Sequence, residues 1–387
     1  MEPLTIGAGS QHRGTLTDLA FDLARKSAGF QRSLPAGLLA ALADLVRAMN
    51  CYYSNLIEGH YTHPVDIERA LKNDYSEDAR KRDLQMEAKA HIAVQKWIDE
   101  GGLRGRAFTS DGIREIHRRI YESLPEDLLF VEDPRTKERV RVMPGEPRRR
   151  DVEVGRHLAI SPGAVPRFLQ RFEEIYSRLG KTDVILSAAA SHHRLLWIHP
   201  FLDGNGRVAR LMSHAILLET LETGAVWSLA RGLARNVQAY KEHLAGCDQS
   251  RRNDLDGRGS LSEEGLAAFT RFFLTTCIDQ VAFMESLVQP ERLRARILVW
   301  AEEEARLGAL PRKSGAILQA VLYRGELGRG EAAGVVGAGD RHARRIVSAL
   351  IEKGVLTSES SRAPLRLAFP AALASRWMPG LFPDRAE

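Results

Sequence analysis

The chain has 387 residues, 44% of them hydrophobic and 27% charged, with a formal net charge of +5, an ordinary balance for a soluble globular protein with room for two or three domains. The mild positive charge permits acidic partners without requiring them, and no uninterrupted apolar run is long enough to span a bilayer. The opening "MEPLTIGAGS" has neither the basic leader nor the apolar core of a secretory signal, and Cys51, Cys247 and Cys277 form no CxxC pattern, so a reduced, cytoplasmic setting is expected.

In chain order, the pattern is mostly helical. "PAGLLAALADLVRAMNCYYSNLIEG" carries apolar residues at helical spacing, with Pro35 near its start and Gly59 just after its end. Glu58 falls in its last turn, where the helix dipole disfavours a negative charge, and this calls for a cationic partner. His60 and His63 form an HxxH without a third ligand nearby, so they read as loop residues beside the helix rather than a metal site. "SDGIREIHRRIYESL" predicts a helix capped by Ser110, with Ile113, Ile116 and Ile120 as one buried stripe. "ERVRVMPGEPRRRDVEVGRHLAISPG" alternates valine with charge between Pro-Gly turns and reads as a short β-hairpin or flap. "TDVILSAAASHHRLLWI" predicts a helix capped by Thr182, whose small residues from Ala188 to Ser191 suit close packing. His192 and His193 read as packed helix-face residues. "RVARLMSHAILLETL" predicts the next helix, with Val208, Leu211, Ala215 and Leu218 on one face.

Between these two helices lies "HPFLDGNGRVAR", His199 to Arg210. His199 supplies a base near neutral pH. Asp203 supplies hard oxygen ligands suited to Mg²⁺. Gly204, Asn205 and Gly206 lead straight into a helix N-terminus, which presents free backbone N–H groups to an anion. Arg207 and Arg210 are three apart and share a helix face, an arrangement suited to polyphosphate. Together these residues describe phosphoryl or nucleotidyl transfer to a hydroxyl, and their spacing leaves open which phosphorus is attacked.

After a polar loop, "CDQSRRNDLDGRGSLSEEG", helices resume, and "AEEEARLGALPRKSG" reads as a hinge. The last unit reads helix, short helix, Gly turn, helix, then two strand-like pieces, "VLTSES" and "PLRLAF", an order that resembles a winged-helix domain. Arg341, Arg344 and Arg345, with His342 among them, lie on its last helix and would meet either DNA phosphate or a protein. "GVVGAGDRHA" lacks the final glycine and preceding strand of a dinucleotide loop.

"HPFLDGNGRVAR" matches the Fic family signature, HxFx(D/E)GNGRxxR, at every fixed position, and the chain resembles that family over residues 110–249 and the helix before them. The resemblance implies a mainly α fold: a Fic-type helical bundle with a β-hairpin flap, placed at residues 148–160, that pins a target segment by strand pairing. It implies a protein adenylyltransferase, which moves AMP from ATP to a Ser, Thr or Tyr hydroxyl. His199 would be the catalytic base and Asp203 the Mg²⁺ ligand. Gly204, Asn205, Gly206, Arg207 and Arg210 would bind the phosphates, and Phe201 would anchor the loop in the core.

"SNLIEG" matches the family's inhibitory motif, (S/T)xxxE(G/N). It implies that Glu58 pairs with Arg210 and blocks productive ATP binding, with Ser54 donating a hydrogen bond to the Glu58 carboxylate. The expected organisation is an N-terminal helical region, 1–109, with the inhibitory helix at about 36–58; a Fic core, 110–249; a helical extension, 250–305; and a winged-helix-like domain, 306–387. Rival functions are removal of AMP from a modified protein, transfer of another nucleotide or phosphate group, and a nucleotide-sensing DNA-binding regulator. Expected partners are ATP, a target protein that includes the chain itself, DNA or a protein at the C-terminal unit, and a second copy of the chain; no membrane is expected.

Overall fold

The computed structural model describes residues 1–133, 136–155 and 157–383. Arg156 of the expected flap and residues 384–387 of the expected C-terminal domain lie outside the described residues. The chain forms two compact units. The first is Met1–Ala28, Asn50–Thr223 and Ser228–Gln280; the second is Gly29–Met49, Gly224–Trp227 and Val281–Glu387. This division differs from the four consecutive spans expected: three of its boundaries fall inside long helices (28/29, 49/50 and 280/281), and the other two lie in the connection between residues 221 and 229.

The helices run α1 (Arg13–Arg32), α2 (Ala36–Ile57), α3 (Pro64–Leu71), α4 (Ala79–Asp99) and α5 (Ser110–Glu122). The first of these went unread in the sequence, although its Leu16, Ala20 and Leu23 are buried at helical spacing. Thr109, not Ser110, caps α5: its hydroxyl accepts from the Gly112 N–H at 2.9 Å, and Ser110 is already helical.

The valine-and-charge segment forms one hairpin, inside the expected 148–160, and also pairs its first strand with a strand that precedes it. β1 (Phe130–Glu132) pairs with β2 (Arg139–Arg141), and β3 (Glu153–Val154) pairs with β4 (His157–Leu158). The turn at Gly145 separates them; its φ of 74° suits glycine, and its N–H donates to His117 Nδ1 at 2.8 Å.

The core of this unit is made by α6 (Val165–Tyr176), α7 (Lys181–Ile198) and α8 (Asn205–Leu221), with α9 (Leu229–Arg235), α10 (Val237–Cys247) and the start of α11 (Glu263–Leu287). The N-cap of α7 is Gly180 rather than Thr182. The closest helix partnership is α7 with α8, where Ala188, Ala189 and Ala190 are fully buried and let the backbones approach. Polar groups at this seam are paired. His192 bonds Ser213 Oγ at 2.8 Å and Tyr240 Oη at 2.7 Å, and His193 bonds Asp248 Oδ1 at 3.0 Å.

The second unit contains α12 (Pro290–Arg306), α13 (Ser314–Arg324), β5 (Glu326–Leu327), α14 (Ala332–Val336), α15 (Asp340–Glu352), β6 (Leu356–Thr357), β7 (Leu365–Leu367) and α16 (Ala374–Trp377). Its sheet is antiparallel in the order β5-β7-β6, so the expected strand pair gains a third member. Gly337, at φ 57°, turns α14 into α15. Ile317, Val321, Ile346, Leu350 and Trp377 fill the core, with Trp300 edge-on to Trp377 at 5.2 Å. Arg341, Arg344 and Arg345 are exposed on α15.

Among the described residues, α11 alone is long and apolar enough to cross a membrane by length and composition, but 56% of that stretch is buried in the protein, as in a core helix. Cys51, Cys247 and Cys277 are buried and free.

Burial pushes the pKa of His91, His117 and His192 from 6.5 down to about 3. The unfolded chain binds protons on these rings near pH 6.5, and the folded chain does not until about pH 3. Their contribution to stability is therefore complete at neutral pH and is lost as pH falls through that window. The thermal midpoint should drop between pH 7 and pH 4, and His192→Asn should show a shallower drop. An equal slope in the variant would remove His192 from the acid response.

Candidate active site

The site starts with a strained loop. His199 ends α7 in the left-handed conformation, φ 50° and ψ 63°, which L-residues with bulky side chains seldom adopt. Its Nδ1 lies 3.2 Å from the Leu196 carbonyl and donates there, which leaves Nε2 to accept a proton. Burial lowers its pKa to about 4, against the Leu196 hydrogen bond, so the ring is neutral at physiological pH.

Two other residues fix the loop. Arg148 donates through Nε to the His199 carbonyl at 2.7 Å, through Nη1 to the Arg150 carbonyl at 2.8 Å and through Nη2 to the Ile160 carbonyl. Its own N–H donates to the Pro200 carbonyl at 2.8 Å. One guanidinium thus ties both ends of the β3–β4 flap to the His199 loop. The buried Asn205 side chain closes the loop from the other side: Nδ2 donates to the Phe201 carbonyl and Oδ1 accepts from the Phe201 N–H, both at 2.9 Å. Each end of its amide makes one bond inside the loop, which fixes Asn205 at the start of α8. Phe201 is buried as expected and stacks on His117, 3.9 Å between ring centres.

Asp203 accepts from Tyr121 Oη at 2.5 Å and from Arg207 Nη2 at 3.2 Å. Burial raises its pKa, but Arg207, the Tyr121 hydroxyl and the Gly204 N–H overcome this and hold the carboxylate below its ordinary range. Gly204, at φ 77°, needs its missing side chain twice over, because a Cβ there would meet the Tyr121 hydroxyl at 2.7 Å. Arg207 also donates to Tyr121 Oη at 3.1 Å and to Glu87 Oε2 at 3.4 Å. His60 Nδ1 reaches the same Glu87 oxygen at 3.0 Å, and that bond raises the His60 pKa.

Arg210 stands one turn further along α8. Its Nε donates to Ser54 Oγ at 2.8 Å, its Nη2 to the Ser54 carbonyl at 3.3 Å, and Nη2 also pairs with Glu58 Oε1. Ser54 therefore accepts from Arg210, a contact that the expected donation to Glu58 did not include. The physical reason is burial: the guanidinium needs every acceptor within reach. Glu58 packs against Gly206 in the first turn of α8, where a Cβ would collide with its carboxylate. Burial raises the Glu58 pKa; Arg210, with Arg207 behind it, reverses this and keeps the acid ionised. An anion thus already occupies the positive end of α8.

No group of three His, Cys, Asp or Glu residues able to hold a metal occurs among the described residues. Asp203, with 44% of its side chain exposed, suits a Mg²⁺ ion that keeps water and substrate phosphate as its other ligands. The structure brings all the sequence-predicted residues of the motif together with Ser54 and Glu58. It adds Tyr121, Glu87 and Arg148, which the sequence reading missed. Tyr121 alone left a signal, a polar-tipped aromatic one turn from His117 on the buried face of α5.

Residues 107–217 match the Fic/DOC family model. The protein adenylyltransferase Fic of Drosophila erecta is 29% identical over 169 residues, 43% of this chain and 31% of that protein. The corresponding protein of Drosophila willistoni is 30% identical over the same shares. The matched stretch thus spans under a third of these curated relatives' length. A crystal structure of a Fic family protein from Desulfovibrio desulfuricans G20 is similar with a TM-score of 0.56 and 15% identity, covering 94% of this chain and 98% of that one. A Fic domain containing signaling protein from Bacteroides thetaiotaomicron VPI-5482 is similar with a TM-score of 0.51 and 21% identity, covering 69% and 95%. At these identities the likeness to the solved structures is one of fold.

Asn205→Ala would leave the buried N–H and carbonyl of Phe201 without partners, at about 1–3 kcal/mol each. Urea unfolding should therefore report a loss of about 2–6 kcal/mol, and Asn205→Asp, which keeps one acceptor, a smaller loss. A change within about 0.5 kcal/mol for Asn205→Ala would mean that the clip does not hold the loop.

Proposed function

We propose that the protein is an adenylyltransferase that moves AMP from ATP to a hydroxyl of a protein target, and that Glu58 restrains it. The observation that carries the reading is the neutral His199, its Nε2 left to accept a proton, one loop away from Asp203 and the cationic N-terminus of α8.

In this reading His199 Nε2 takes the proton of the target Ser, Thr or Tyr hydroxyl. That oxygen bonds the α-phosphorus as the bond to the pyrophosphate leaving group breaks. Mg²⁺, bound through Asp203 and phosphate oxygens, would neutralise charge on the phosphates. Arg207 and Arg210 orient the β- and γ-phosphates, with the backbone around Gly204 and Gly206 nearby. Glu58 occupies Arg210 in their place, and its departure restores the site. The β3–β4 flap, anchored by Arg148, lends a strand edge to the target.

ATP labelled at the α- or the γ-phosphate tests this, with wild type, Glu58→Gly and Glu58→Gly/His199→Ala, Mg²⁺ and a cell extract. The α-label alone should transfer, at least about tenfold more in Glu58→Gly, and the double variant should lose about 10²–10⁴-fold. Transfer of the γ-label would instead make the protein a kinase. No label from either donor would favour AMP removal, with Glu58 positioning a water.

For the second unit we read a winged helix. The exposed Arg341, Arg344 and Arg345 on α15, the second helix of a helix-turn-helix, favour a role in contacting duplex DNA. Duplex binding at moderate salt should weaken several-fold when the three are changed to alanine. Absence of duplex binding by wild type would leave the unit as a protein-docking module.

A further inference from the structure

One carboxylate oxygen in the site serves two partners. Glu87 Oε2, on α4, lies 3.0 Å from His60 Nδ1 and 3.4 Å from Arg207 Nη1. The side chain of Glu87 is only 14% exposed, so this oxygen has few competing contacts with water. Arg207 is held on its other terminal nitrogen by Tyr121 and Asp203. Of its two acidic partners, Asp203 is the open one, 44% exposed and aimed at the place where cation and phosphates would bind. When Asp203 turns to those ligands, Glu87 remains to hold the guanidinium in its plane.

His60 sits two residues after Glu58, in the turn that closes α2. Its N–H donates to the Asn55 carbonyl at 2.9 Å, and the Glu58 N–H to the same carbonyl at 3.1 Å. The two side chains leave this one turn in different directions, Glu58 to Arg210 and His60 to Glu87. Docking the turn therefore touches both arginines: one directly, the other through the carboxylate behind it.

We propose that Glu87 is a positioning residue for Arg207, and that His60 draws on the same carboxylate oxygen while the Glu58–His60 turn is docked. The inference rests on the reading that Arg207 meets nucleotide phosphate. Glu87 acts through Arg207 and touches no substrate.

The test is calorimetric binding of ATP with Mg²⁺, and of adenosine, to the full-length Glu58→Gly chain. Three further changes are made singly in that background, Arg207→Ala, Glu87→Gln and Glu87→Asp, and His60→Ala is made in the chain that keeps Glu58, where the turn is docked. Glu87→Gln keeps the shape but removes the charge, and should weaken ATP about tenfold, the low end for a bond to a charged group. Adenosine has no phosphate, so its affinity should not change. Glu87→Asp should recover part of the loss, and His60→Ala should tighten ATP about two- to threefold by leaving the oxygen to Arg207.

If ATP and adenosine weaken together, Glu87 is structural and the positioning role fails. If Arg207→Ala weakens ATP while Glu87→Gln does not, the inference fails and the reading of the site stands. If Arg207→Ala leaves ATP binding intact, that reading fails and takes the inference with it. An unchanged ATP affinity in His60→Ala would end the competition between His60 and Arg207.

Discussion

A buried guanidinium has to have partners for its donors, and at Arg210, unlike the carbonyl-bound Arg148, those partners include an anion. The Arg210 side chain is 4% exposed, and it projects from the first turns of a helix whose N-terminus is itself positive. Desolvating that charge without a partner would cost several kcal/mol. Ser54 supplies two acceptors, its hydroxyl and its carbonyl, and Glu58 supplies the negative charge. The C-terminal end of α2 is therefore bound to the motif helix by an electrostatic necessity as well as by apolar packing. Arg207 repeats the pattern half a helix face away, with Asp203 and Glu87 as its anions.

These cations can face one point only because the loop before them is rigid. The left-handed His199 stores strain, and a loop of this length would relax unless held at several atoms. Arg148 holds it from the flap and Asn205 from the helix, both through backbone groups rather than side chains. Backbone anchoring leaves the His199 ring free to work as a base, because only Nδ1 is used, on a carbonyl of its own helix. The same anchoring makes the flap and the catalytic loop one mechanical piece. A target strand laid along the flap would be placed relative to His199 by the geometry of a single arginine.

The motif was legible in the sequence because its parts are close in the chain and each residue type has a narrow chemical use. The Glu58–Arg210 pairing was legible only through resemblance, since 152 residues separate the partners and no periodicity connects them. Glu87 gave no signal at all: on α4 it is one charge among many, and its meaning arises only when α4 packs beside α8. The loop-holding part of Asn205 went unread for a related reason. Asn at a helix start reads equally as a cap, a phosphate ligand or a loop clip, and only the position of the Phe201 backbone decides. The division into two units left no trace in the sequence, because helical periodicity continues unbroken through α2 and α11, while the change of packing partner within each leaves no mark on composition.

The burial of the two partners also decides which of them can move. Arg210 is nearly inaccessible and is fixed by Ser54, whereas 39% of the Glu58 side chain reaches solvent. Rehydrating a half-exposed carboxylate costs far less than exposing or stranding a buried guanidinium. On the proposed reading, exchange at this point would proceed by replacement of the acid, with the arginine staying in place. A phosphate group is the natural replacement: it offers more oxygens than the carboxylate, carries at least its charge, and meets the same helix end. On the proposed reading, the anion beside Arg210, Glu58 or a nucleotide phosphate, would set the state of the site.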